Sequence, residues 1–168
     1  MTDSPTSAET ARATIETEVA GLKVLAASID GRFTEAVNLI HACKGRIIIT
    51  GIGKSGLVGQ KIAATLTSTG TPSFFMHAAE ASHGDLGMIG TGDIVIAVSN
   101  SGESAELRAI VEYCRRHAEE VVLVAITAKA SSTLGRLADL VLLLPHAAEA
   151  CPLSLSPMTS TTMMLVLG

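Results

Sequence analysis

The sequence predicts an α/β fold, a three-layer sandwich in which a five-stranded parallel sheet is flanked by helices on both sides. Short apolar runs at residues 47–49, 73–76, 94–98, 121–126 and 140–144 do not alternate with polar residues, the pattern of strands covered on both faces. Helical spacing separates them, clearest at Leu107, Ile110, Val111 and Cys114, and strand–helix–strand repeats close as right-handed crossovers. Aromatic residues make up only 2% of the chain and Trp is absent, so the core must come from Ile, Val, Leu, Ala and Met. With 168 residues and 48% hydrophobic composition, one domain with one substantial core is the expectation.

Taken in order, residues 1–7 read as a disordered polar tail, and residues 8–168 as the domain. Ile15, Val19, Leu22, Ala26 and Ile29 recur at steps of four and three and predict a helix with one apolar seam, suited to core or subunit contact. A second helix after Gly31 carries Phe33, Ala36, Val37 and Ile40 on one face, with Gly45 as its stop. The first strand then runs into Thr50-Gly-Ile-Gly-Lys-Ser-Gly56. Residues 160–168 read as the opening turns of a helix without a cap, as expected of a segment inside a larger protein.

Composition excludes several functions. A net charge of -4 without a dense Lys/Arg cluster removes the footprint of a nucleic-acid binder but leaves room for a small anionic ligand. No apolar run approaches the roughly 20 residues that span a bilayer, and the N-terminus lacks a signal pattern. Cys43, Cys114 and Cys151 show neither CxxC nor zinc spacing and read as reduced thiols. A soluble cytoplasmic protein without membrane partners is expected.

The glycine loop at 50–56 admits three phosphate chemistries. A P-loop requires glycine five positions before the Gly-Lys pair, and that position is Ile48, inside the strand. A dinucleotide fold needs an acid at the end of the second strand, which here ends in Met76-His77 with Glu80 the nearest carboxylate. The third is a sugar phosphate, and beside all three stands a plain strand-to-helix turn. A second loop, Ser99-Asn-Ser-Gly-Glu-Ser104, places three hydroxyls around a glycine where a helix should start. Helix-initial N–H groups and hydroxyls together form an anion site, whereas capping alone needs only one hydroxyl.

GIGKSG at 51–56, STGTPSFF at 68–75, HAAEASHGDLGM at 77–88, SNSGESAE at 99–106 and EACPLSLSPMTSTT at 149–162 carry a resemblance to the SIS (sugar isomerase) domain family, a Rossmann-like fold. Within it the chain looks most like the bacterial D-arabinose 5-phosphate isomerases. The resemblance implies interconversion of ribulose 5-phosphate and arabinose 5-phosphate through an enediolate, the first step toward the lipopolysaccharide sugar Kdo, with no redox cofactor. A hexulose-phosphate isomerase or a non-catalytic sugar-phosphate sensor are the alternatives.

Carried over by motif, the resemblance implies that Ser99, Asn100, Ser101, Ser104 and Ser55 hold the phosphate, and that Gly70 and Thr71 line the sugar. It gives Lys54, His83, Glu106 and Glu149 catalytic roles, makes His77 a zinc-binding histidine, and points to a homo-oligomer, most plausibly a tetramer. From the residues alone, His77 has no partner at metal-site spacing. The family goes on to a further helix, a Ser-His-Pro-Gly-Gly segment and a pair of CBS domains. Its histidine is a candidate proton shuttle, so residues 1–168 alone are expected to bind the sugar phosphate but turn it over slowly or not at all.

Overall fold

The computed structural model describes residues 5–117, 119–153 and 155–168. Thr6 starts helix α1 (Ser7–Ser28) with a reciprocal cap: its hydroxyl accepts the Glu9 N–H at 3.3 Å and the Glu9 carboxylate accepts the Thr6 N–H at 2.8 Å. The expected tail is therefore corrected at its inner end, where Ser7 is helical and Thr6 is the cap; residues 1–4 lie outside the described residues. The expected apolar seam of α1 is covered only in part within this chain. Gly21 and Leu25 are buried and Leu22 is half-buried, whereas Ile15, Val19 and Ile29 are exposed. Helix α1 packs along the outer helix α7 (Thr159–Leu167), which covers only a narrow strip of it.

Helix α2 (Gly31–Ala42) is capped by Asp30, whose side chain accepts the Arg32 N–H at 2.9 Å. Phe33, Ala36 and Ile40 join the core, while Val37 stays exposed. The helix ends at Ala42 with the Cys43 N–H on the Ile40 carbonyl, so Gly45 is not its stop. Gly45 instead donates its N–H to the Gly92 carbonyl at 3.1 Å, tying the entry of the first strand to that of the third.

All five expected strands form: β1 (Ile47–Gly51), β2 (Ser73–His77), β3 (Ile94–Val98), β4 (Val122–Thr127) and β5 (Leu140–Leu143). They make one parallel sheet in the order β2-β1-β3-β4-β5. Successive side chains point to opposite faces, so each strand feeds two cores. Ile47, Ile49, Ile96 and Val98 pack with α1, α2, α7 and α3 (Gly53–Ser68); Ile48, Val95, Ala97 and Leu123 pack with α4 (Ala78–Ala81), α5 (Arg108–Arg116) and α6 (Thr133–Leu137). No helix among the described residues is long and apolar enough to cross a membrane.

The topology dictates where a ligand can sit. From β1 the chain crosses to β2 on one side and then to β3 on the other, so the segments leaving β1 and β3 diverge and open a crevice beyond their carboxyl ends. The register pairs Gly51 with both His77 and Val98, which sets the glycine loop, His77 and the serine loop at that same end.

Candidate phosphate site at the carboxyl end of the sheet

The first wall is the start of α3. A Cβ on Gly51 would lie 3.1 Å from the Gly56 nitrogen, and one on Gly56 would lie 3.0 Å from the Gly51 oxygen, so this glycine pair lets strand and helix touch. Ile52 supplies no side-chain cap. The opening N–H groups of α3 therefore keep their capacity for an anion. Lys54 is exposed in that first turn and has no hydrogen-bond or ion-pair partner among the described residues. A cation there opposes the helix dipole, a cost that an anionic ligand reverses. Ser55 is half-buried, and its hydroxyl contacts the Met164 sulfur of α7 at 3.6 Å.

The second wall is the serine loop. Ser99 is buried, with its hydroxyl 3.0 Å from that of Ser104 and accepting the Gly102 N–H at 3.1 Å. It shapes the loop from within. Ser101 is exposed and accepts the Glu103 N–H at 3.2 Å, and Ser104 is half-buried. The backbone N–H groups of Ser101 and Ser104 meet no acceptor among the described residues. The Asn100 side chain is exposed, while its carbonyl accepts from the Ala128 N–H at 3.1 Å and the Thr127 hydroxyl at 3.3 Å. Gly102 adopts φ of 65°, and a Cβ there would overlap Ser132, so only glycine fits the turn. A 3-10 turn over Ala105–Leu107 follows, and α5 begins only at Arg108, also without a side-chain cap.

Other expected residues divide by position. Helix α4 packs on the Ala105–Leu107 turn, which brings the segment leading to His83 beside Glu106; both side chains are exposed. His77, at the end of β2, shares a cavity of about 460 Å³ with Lys54, Leu57 and Gln60. Leu57 and Gln60 were missed in the sequence, where helical spacing from Gly53 was the available signal.

A zinc site does not fit at His77. Its Nδ1 accepts the Ala79 N–H at 3.3 Å, and no group of three metal-ligating side chains occurs among the described residues. Gly70 and Thr71 are not brought to the crevice within this chain. They precede β2, beside Ile47 and Pro72, at the amino end of the sheet. Four strand steps of ~3.3 Å, about 13 Å, separate that end from the loops.

Glu149 comes to the carboxyl end of the sheet by an indirect route. Helix α7 runs alongside α3 in the same sense, with Met164 at Ser55 and Gly168 at Ile62. Its first residue thus projects about 7 Å beyond the Ser55 level, past the start of α3. Glu149 sits on that projecting end: its carboxylate accepts the Met158 N–H at 2.7 Å and the Ser160 N–H at 3.3 Å. Burial pushes the Glu149 carboxyl up, but hydrogen bonds from Ser160, Met158 and Thr159 outweigh it and leave it below the ordinary carboxylate range.

Residues 39–168 match the SIS domain family. The chain is 50% identical over 140 residues to the arabinose 5-phosphate isomerase KdsD of Shigella flexneri, covering 83% of this chain and 42% of that protein. Against KdsD of Pseudomonas aeruginosa it is 48% identical over 158 residues, 94% of this chain and 48% of the relative. The chain therefore spans less than half the length of these curated relatives. An Escherichia coli CFT073 protein, c3406, solved in complex with A5P superposes with a TM-score of 0.87 at 37% identity, over 92% of this chain and 81% of that one. The Vibrio vulnificus NanR protein complexed with ManNAc-6P shares the fold at a TM-score of 0.81 and 22% identity, over 94% of this chain and 59% of that one. With its family match covering residues 39–168 and relatives near 50% identity, the chain belongs to the SIS domain family.

Proposed function

We propose that this chain binds a pentose 5-phosphate and carries the isomerase chemistry that interconverts ribulose 5-phosphate and arabinose 5-phosphate. The observation that carries this reading is the pair of loops at the β1/β3 crevice, one offering an uncapped helix start with Lys54, the other offering Ser101 and Ser104, whose N–H groups have no acceptor among the described residues. Identity near 50% to arabinose 5-phosphate isomerases supports the choice of sugar. Ser101, Ser104, Asn100 and Ser55 hold the phosphate, and Ser99 keeps the loop in shape. Fixing the phosphate sets carbons 1 and 2 against the catalytic groups.

Isomerisation moves a proton between those carbons and places negative charge on oxygen at the enediolate stage. Lys54 and His83 orient the sugar and stabilise that charge, while Glu106 carries the proton. Glu149 is a positioning residue, because its carboxylate is already committed to the start of α7. No step involves His77-bound metal. The exposed seam of α1 supports a homo-oligomer, proposed as a tetramer. A sugar-phosphate substrate supports a cytoplasmic location and supply of a lipopolysaccharide sugar such as Kdo.

Proton exchange at carbon 2 of arabinose 5-phosphate tests the reading. Exchange by a protein that carries the family's Ser-His-Pro-Gly-Gly segment after this domain, and its loss there in Glu106→Gln with sugar-phosphate binding retained, is the expected result; residues 1–168 alone should bind and exchange slowly or not at all. Tight binding without any exchange in the protein that carries the segment would assign a sensor instead. Normal exchange in a well-folded Glu106→Gln protein would remove Glu106 as the proton carrier.

A further inference from the structure

A carboxylate inside a phosphate-binding loop is an electrostatic liability, and Glu103 stands between Ser101 and Ser104. In the structure it is turned away: its Oε1 accepts the Thr133 N–H at the start of α6 at 2.7 Å. Hydrogen bonding from Thr133, with Arg136 and Lys129 nearby, holds its carboxyl below the usual range. Two further links join the same pieces. The Leu134 N–H donates to the Gly102 carbonyl at 3.1 Å, and the Asn100 carbonyl takes the Ala128 N–H and the Thr127 hydroxyl. The loop is thus fastened along its length to the stretch from the end of β4 to the start of α6, and Ser132 beneath Gly102 is itself fixed by bonds to the Lys129 carbonyl and the Gly135 N–H.

We infer that Glu103 is a positioning residue for phosphate recognition: it clamps the serine loop to the Thr133 N–H, which orders Ser101 and Ser104 before the ligand arrives and keeps the Glu103 charge off the phosphate. This rests on the serine loop being the phosphate site. Loop order established in advance lowers the entropy lost on binding, so the clamp acts on affinity without touching the ligand.

Calorimetry with arabinose 5-phosphate and inorganic phosphate separates the possibilities. Glu103→Ala should weaken both ligands about tenfold while the melting temperature moves by only a few degrees, the scale of one lost hydrogen bond to a charged group. Glu103→Gln retains an acceptor for Thr133 and should bind within about threefold of the unaltered protein. Thr133→Pro removes the same N–H from the opposite side, at a first helical position that tolerates proline after the extended Ser132. It should weaken binding at least as much as Glu103→Ala, because the freed carboxylate can then approach the phosphate. The clamp is overturned if Glu103→Ala and Glu103→Gln both bind as tightly as the unaltered chain or more so, or if Gln restores nothing over Ala. Failure of the unaltered protein to bind either ligand would instead overturn the serine loop as the phosphate site, and the clamp with it.

Discussion

Ser101 and Ser104 combine a hydroxyl with an N–H that meets no acceptor among the described residues, which equips both to hold a phosphate. Ser101→Ala with Ser104→Ala should weaken sugar-phosphate binding by about 1–3 kcal/mol, the range for hydrogen bonds to a charged group. Unchanged calorimetric affinity in the folded double variant would take the loop out of the site. Gly102→Ala is a harsher change, since its Cβ would enter a left-handed turn and meet Ser132. It should lose ~1–3 kcal/mol of stability as well as affinity, visible as a lower denaturant midpoint. Both loops were legible as residue patterns, because turns and anion sites need particular residue types at adjacent positions. Glu103 was not, since its partner at Thr133 lies 30 residues further along the chain.

At the scale of elements, one carboxylate binds the start of α7, which is otherwise held by its packing on α1 and α3. The Glu149 anchor orients α7, whose Met164 meets Ser55 at the amino end of α3. Loss of the anchor in Glu149→Ala should cost roughly 1–2 kcal/mol, as for a helix cap, and lower ligand affinity through Ser55. Asp139 behaves similarly: burial raises its carboxyl, but hydrogen bonds from Arg115 and the Leu123 N–H outweigh this and leave it low. Both carboxyls are depressed in the native state, so the unfolded chain takes up protons first as pH falls below about 4. Their stabilisation is complete above that pH and fades as pH drops through the depressed native values. Melting temperatures from pH 7 to 3 should show this acid limb, shallower in Glu149→Gln. An identical limb in that variant would mean Glu149 contributes nothing there.

For the molecule as a whole, α1 presents exposed apolar side chains at its surface. Ile15 is 62% exposed and Val19 43%, on a helix whose inner strip is already satisfied by Gly21 and Leu25. Aligned apolar side chains of this kind mark an interaction surface. Light scattering should give a mass several times 17.3 kDa, and Ile15→Asp with Val19→Asp should reduce it. A mass of 17.3 kDa for the unaltered chain at every concentration would refute the oligomer.

By itself the sequence determined the layer architecture. A strand buried on both faces must be apolar at consecutive positions, and the five such runs all became strands of one parallel sheet. It also specified the tight turns of the two loops, because glycine and serine act there through local backbone geometry. Only the tertiary structure decided which distant pieces meet. Gly70 and Thr71 precede a strand and so fall at the amino end of the sheet, whereas Glu149 reaches the carboxyl end because α7 runs parallel to α3. The exposure of the α1 seam was likewise decided by where α7 lies. Side-chain periodicity records which residues share a face, but the face that becomes covered depends on what packs against it.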